Sequence, residues 1–369
     1  MKRWKPVLIA VLAAVLVCAL ALTAINGIFA GHAGTITLWY IRGDCSDTQL
    51  EALAKKYNRS AGRAHRALEL SGFDSEQALA DAFQDRRPDL LLCSYIKAGD
   101  LYDRGLLARA AVSAAEYPPA VLEAAPSAGT CFFPLGSEVQ LLVENSRLCS
   151  ESFDSLEALL EWCGDYAGSS GEAAFSAGSY ADMINAAMCS LDAPFNAQLK
   201  TDAKDPDFRR VYNLLADCGY AKALLDLGAG SAEAVAQGQL PCACVSSRQL
   251  AGLDSDGLRV SVLPLPEGGE AVCPAELMGL AVTSEDAEAI VYVAQLLDWL
   301  ERDGRGAGLA MASALVPLSL PEKSGGYAWE AAIRELCGYE LSFSAEGGAF
   351  AANREEFDGS FGAALDLLR

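Results

Sequence analysis

The sequence predicts an α/β chain of two lobes, joined by a hinge of crossing segments and preceded by a hydrophobic N-terminal helix. Three observations predict it. From Gly34 the order is strand, helix, strand, helix, strand. The stretch from Phe132 to Asn145 is a proline-led turn, then a β-rich run that ends in a polar stop, and it reads as a strand crossing from one lobe to the other. Beyond it the texture changes to longer helices and Gly/Ser-rich loops.

The N-terminus comes first. Lys2, Arg3 and Lys5 precede an apolar run from Val7 to Ile25. That length lies between a long signal-peptide core and a spanning helix, which needs about 20 apolar residues. The basic flank stays inside and the remainder is exported. Residues 1–33 are therefore read as a signal peptide or membrane anchor. Cleavage near Ala30 or Ala33, lipidation at Cys18 and retention of the helix all stay open.

Residues 34–40 (Gly-Thr-Ile-Thr-Leu-Trp-Tyr) form the first strand. Ser46 and Gln49 have capping-box spacing, and Leu50, Leu53, Ala54 and Tyr57 follow at helical intervals. Ala67–Leu70 is a short second strand. Asp74 with Gln77 repeats the cap before Ala78, Leu79, Ala82 and Phe83. Arg87 to Tyr95 holds the apolar run Leu90–Cys93, which reads as a central strand buried on both faces. Such doubly wound sheets bind ligands at the carboxyl ends of their strands. After the crossing strand, Asp154 and Glu157 cap a helix carrying Leu156, Leu159, Leu160 and Trp162. A helix starts near Tyr180, and strands follow at 240–247, 259–266 and 277–283. A helix over 286–301 and a mostly helical tail complete the chain. The expected lobes are 34–137 with 275–315, and 138–274 with 316–369.

Composition excludes several classes. Of 369 residues 52% are hydrophobic and 21% charged, which describes a globular chain with ample core. The net charge of −21 argues against nucleic acid, because few cations are available to neutralise phosphates. The first thirty residues hold three basic and no acidic side chains, so the remainder carries about −24. Apart from Cys18 there are eleven cysteines, an odd number without a CxxC. Their apolar neighbours favour buried small hydrophobes over a disulfide framework. Only two histidines occur, His32 and His65, and the cysteine spacings match no zinc pattern, so no metal and no cofactor are expected. The Asp202, Asp205, Asp207 cluster lacks the glycine and spacing of a calcium loop. No Gly-x-Ser-x-Gly elbow or Walker loop is present, so no enzyme is expected.

The order of several segments resembles the family 1 extracellular solute-binding proteins of ABC importers, the sugar-binding type. Pro88-Asp89 is followed by Leu101-x-x-x-Gly105-x-Leu107, and then by Pro134 to Asn145 and Phe153 to Leu160. Gln237-Gly238-Gln239, Pro264-x-Pro266 and Leu315-Val316-Pro317 continue the match. Leu142-Val143 stands where the family has an aromatic pair, and Asp154-Ser155 where it has Thr-Trp. The resemblance implies a periplasmic-binding-protein-like fold of type II that closes on a ligand by hinge motion. It also implies a monomer at the extracellular face of the cytoplasmic membrane, anchored or secreted, that passes a small polar ligand to ABC permease subunits. A carbohydrate is the favoured ligand. The alternatives are a polyamine or other cation, favoured by a cleft lined with Asp44, Glu138 and Asp182, and a sensory or structural ectodomain without transport.

The candidate ligand-binding residues follow from strand ends and helix starts. Tyr40, Arg42 and Asp44 end the first strand, and Ser94 and Tyr95 end the third. Glu138 lies just inside the crossing strand, where a buried carboxylate needs a partner. Ser179 and Tyr180 open a helix whose free N–H groups can face a ligand. Ser246 ends a strand of the second lobe, and Glu276 precedes the strand that returns to the first.

Overall fold

The computed structural model describes residues 34–60, 66–112, 117–193, 205–251, 253, 256–321, 325–343 and 347–368. The N-terminal segment 1–33 with Cys18 and His32, as well as His65 and Asp202, lies outside the described residues.

Thirteen strands are present among these residues. In chain order they are β1 (Thr35–Ile41), β2 (Ala67–Phe73), β3 (Leu90–Ser94), β4 (Phe132–Glu138) and β5 (Gln140–Asn145). There follow β6 (Phe175–Ala177), β7 (Leu224–Leu225), β8 (Cys242–Ser246) and β9 (Leu258–Val262). Then come β10 (Val272–Pro274), β11 (Glu276–Val282), β12 (Val316–Pro317) and β13 (Glu340–Ser342).

Two main sheets divide the molecule into two lobes. The first has the order β12-β4-β11-β3-β1-β2 and the second β7-β6-β8-β5-β9. The crossing strand is realised as β4 in the first sheet and β5 in the second, with Val139 alone between them. Every residue from Phe132 to Asn145 is buried. Val139 is pinned to the second lobe by its carbonyl, which accepts from Ser247 N at 2.8 Å, and by its N–H, which donates to Ser247 Oγ at 3.3 Å.

The first sheet is mixed. β1 pairs parallel with β2 and β3, but β11 runs antiparallel between β3 and β4. This is the returning strand, and its antiparallel direction, set by pairing with distant β3 and β4, is what a local reading leaves out. Its register shifts between Met278 and Gly279. A Cβ on Gly279 would stand 2.5 Å from Phe133 O and 2.7 Å from Pro134 Cα, so only glycine fits this bulge.

Helices cover both faces of the first sheet. Ile36, Leu38 and Tyr40 pack with Leu50, Ala54, Tyr57 and Leu297 on one face. Trp39, Leu91 and Cys93 pack with Leu79, Leu101 and Val121 on the other. Asp89 stitches the amino ends of these strands. Its carboxylate accepts from Thr37 N at 2.8 Å, Thr37 Oγ1 at 3.0 Å and Ser284 Oγ at 2.6 Å. The second lobe is built around Leu156, Leu159, Phe175, Met183 and Leu215, with Leu365 of the C-terminal helix Gly347–Leu368 docked on it.

Local signals misplaced two caps by one residue. The helix Glu76–Asp85 is capped by Ser75 rather than Asp74, and Leu156–Ser170 by Ser155 rather than Asp154. In each the serine hydroxyl accepts an N–H from the third residue on, the role an adjacent aspartate can equally play. The run to Tyr95 also ends as strand at Ser94, and Tyr95 opens the helix Tyr95–Asp103. Asp205 caps the helix Pro206–Tyr220, which gives that acidic stretch a structural role. Ten of the eleven described cysteines are buried.

Candidate functional site

The carboxyl ends of β1, β3, β4, β6 and β8 and the start of β11 converge where the two sheets face each other across the crossover. Each end delivers a polar side chain. Gly43, at φ +90°, turns the chain after β1 and presents Asp44. Ser94 closes β3 and caps the next helix by accepting from Lys97 N. Glu138 ends β4. Glu276 opens β11 and lies directly opposite Glu138 in the strand register. Ser246 ends β8 and accepts from Arg248 N in a tight helical turn, Ser247–Leu250. Ser179 caps the helix Tyr180–Ser190 by accepting from Asp182 N.

These side chains form a charged network. Arg248 of the second lobe places Nη1 3.0 Å from Asp44 Oδ1 of the first, and Nε 2.6 Å from Glu138 Oε2. Ser246 donates to Glu138 Oε1. Arg354 of the C-terminal helix places Nη1 3.2 Å from Asp182 Oδ2. Four carboxylates, Asp44, Glu138, Asp182 and Glu276, thus share two guanidiniums.

The electrostatics record that imbalance. Burial pushes Asp44 up to about 6, opposed by Arg248 and reinforced by Glu138 and Glu76. Burial likewise pushes Asp182 up to about 6, opposed by Arg354 and reinforced by Glu138 and Asp358. Glu276 is raised by burial and then by Glu138, while Arg248 and a hydrogen bond from Ser94 pull the other way. Arg248 is raised above the ordinary arginine range, first by Glu138 and also by Asp44 and Glu276. Such an assembly holds negative charge ready for a donor-rich or cationic solute.

Of the ten residues expected from sequence, the structure brings Asp44, Ser94, Glu138, Ser246 and Glu276 together. Ser179 stands beside them as the cap before Asp182. Arg42 lies outside the network, in exposed ion pairs with Asp47 at 3.4 Å and Asp74 at 3.1 Å. Tyr40 is a core side chain, 3% exposed. Alternation along β1 does not separate core from cleft, because helices cover both faces of this sheet. Tyr180 is a core residue of the second lobe, its ring tilted against Phe361 with centroids 4.5 Å apart and its hydroxyl donating to Leu225 O at 2.7 Å. Tyr95 is buried among Leu101, Val121 and Phe132, and burial raises it to about 12 with Glu276 nearby.

Arg248 and Arg354 escaped the sequence reading. Arg248 had a usable signal, since it lies two residues beyond a strand end already singled out. Arg354 had none, because its place depends on how a distant helix docks. Aromatic platforms are scarce here. Trp39 packs on Phe73, Trp299 on Tyr57 and Arg305, Trp162 on Phe153 and Tyr166, and Trp329 on Tyr327. A separate groove of about 730 Å³ runs over Leu79, Phe83, Leu91 and Leu101, away from these strand ends, and its Arg87 is paired with Glu285.

No protein-family model and no curated relative matches this chain. Solved structures do. The cyclic α-maltosyl-1,6-maltose binding protein from Arthrobacter globiformis aligns with TM-score 0.66 at 13% identity, covering 92% of this chain and 97% of that one. The GacH receptor of Streptomyces glaucescens, solved unliganded and with acarbose, aligns with TM-score 0.65 at 15% identity over 92% and 99%. The spermidine/putrescine ABC transporter substrate-binding protein PotD from Streptococcus pneumoniae aligns with TM-score 0.59 at 11% identity over 88% and 98%. The chain therefore has the two-lobe fold of ABC-transporter solute-binding proteins. At these identities it is the fold that is shared.

Proposed function

We propose that this chain is the solute receptor of an ABC importer, without catalytic activity, working at the extracellular face of the membrane. Its lobes, taken as 34–137 with 275–315 and 138–274 with 316–369, close on a small polar solute and present it to permease subunits. The observation that carries this reading is the buried polar network where strand ends of both sheets meet at the crossover. Asp44, Ser94, Glu138, Asp182, Ser246 and Glu276 form the binding set. All four described tryptophans are engaged in packing, so recognition rests on hydrogen bonds and charge more than on ring stacking.

Two solute classes satisfy such a set. Carbohydrate hydroxyls donate to carboxylates, and two of the structural neighbours are a maltosyl-maltose binding protein and a receptor that binds acarbose. Polyamine ammonium groups donate more strongly, through charge-assisted bonds. The excess of four carboxylates over two guanidiniums favours the second class, and a spermidine/putrescine binding protein shares the fold. A thermal-shift screen against oligosaccharides, polyamines, amino acids and metal ions tests the reading. A solute at 100 times its Kd stabilises the folded state by about 2.7 kcal/mol. Stabilisation by one class names the solute. A folded protein that no compound stabilises overturns the transport reading in favour of a non-transporting ectodomain.

A further inference from the structure

Arg248 is a side chain through which both lobes and the crossover meet. It belongs to the second lobe, it reaches Asp44 across 204 positions of sequence, and its Nε lies against Glu138 at the exit of β4. Its backbone is held by the Ser246 cap, and its guanidinium is held by the two carboxylates. Both ion pairs are sheltered, with the Arg248 side chain 29% exposed, Asp44 17% and Glu138 9%. A planar guanidinium offers separate donors to two carboxylates at once, which a lysine ammonium does with less directional control. Asp44 and Glu138, two of the carboxylates that would face a solute, are thus met by a cation of the protein itself while the lobes stand together.

We infer that Arg248 is a built-in latch, a tethered cation that occupies the solute site and holds the lobes together until a solute takes Asp44 from it and the lobes close on that solute instead. The solute half of this statement rests on the receptor reading above, whereas the latch half stands without it. Because Asp44 and Glu138 share this one cation, a competing solute must bring a donor to Asp44. Arg248 then sets specificity as well as conformation. Solutes without such a donor meet a cleft that is already shut.

Dyes placed through non-natural amino acids at positions 55 and 161, on exposed faces of helices in the two lobes, report lobe separation by single-molecule energy transfer in the full chain. Without solute, the wild type is expected to populate mainly the high-transfer, closed state. Arg248→Ala and Asp44→Asn should each shift the distribution to lower transfer, and the double variant should open no further than either single one. Millimolar free guanidinium should restore the closed population of Arg248→Ala, while sodium chloride of equal ionic strength should not. Arg248→Ala and Asp44→Asn distributions that superimpose on the wild type, in samples with cooperative thermal transitions, would overturn the latch. So would equal recovery in sodium chloride. Should Arg248→Ala fail to fold, Asp44→Asn carries the same test at nearly constant volume. Absence of any stabilising solute sinks the receptor reading and leaves the latch intact. Unchanged energy transfer sinks the latch and leaves the receptor reading intact.

Discussion

Glu144 shows how much a single buried charge depends on its partner. It is 2% exposed and lies on β5, between β8 and β9 in the second sheet. Arg259 on neighbouring β9 closes a fork on it, with Nε–Oε2 at 2.8 Å and Nη2–Oε1 at 2.6 Å. Ser261 and Cys149 donate to the same carboxylate. The pair was not legible in sequence, because Glu144 there ends an apolar run as a polar stop and Arg259 begins a distant strand. Arg259→Ala is expected to destabilise the protein by about 3 kcal/mol, since it leaves a buried carboxylate without its counter-ion. Urea denaturation measures this, and a loss below about 1 kcal/mol would refute the claim that the fork neutralises Glu144. Replacing both partners by apolar residues should cost less than Arg259→Ala alone, for the same reason.

At the scale of elements, the crossover and the returning strand decide where the site can form. The crossover was legible as a strand because a β-rich run, Val139 to Val143, follows the proline-led stretch and ends in a polar stop, although Pro134 and Gly136, which read as a turn, lie inside β4. Its splitting between two sheets at Val139 was not, since partners for both halves come from about a hundred residues away or more. β11 is the clearer case. Its apolar run 277–283 is plain in sequence, but its antiparallel place between β3 and β4 comes from chain topology. Gly279 is the price of that place, since β4 passes too close for any side chain there. Gly279→Ala is expected to cost about 2 kcal/mol or more, because backbone atoms of Phe133 and Pro134 must move. A denaturation midpoint equal to the wild type would show that the bulge relaxes freely. The same strand sets Glu276 directly opposite Glu138, an arrangement that disfavours two ionised groups.

For the whole molecule, the charged cleft links stability to pH. Asp44 and Asp182 are both held near 6, above an ordinary carboxyl value near 3.9, and Glu276 is raised as well. Between about pH 4 and pH 6 the folded state therefore keeps protons that the unfolded chain has released. Stability from these groups is present at the acid end and is lost as pH rises through 6. Asp182 faces Arg354, Glu138, Asp358 and Cys244, so its neutral form relieves burial at the expense of one ion pair. Asp182→Asn should flatten the fall of Tm between pH 4 and pH 6 relative to the wild type. Parallel Tm curves for the two proteins would refute the assignment. Binding of an organic cation should strengthen over the same interval, as the carboxylates ionise, whereas a neutral sugar should show a smaller change.

The sequence by itself determined the alternation of strands and helices, the crossover at 132–145, the apolar runs that become central strands, and most of the polar residues gathered at the strand ends. These follow from local chemistry, namely β-branched and apolar runs, turn residues and the rule that α/β sheets bind at their carboxyl edges. The tertiary structure alone decided that Tyr40 and Tyr180 are core, that β11 runs antiparallel, and that Arg248 and Arg354 share four carboxylates. The physical reason is common to all three. Each depends on what is packed against a residue from far along the chain, and neither periodicity nor spacing carries that information.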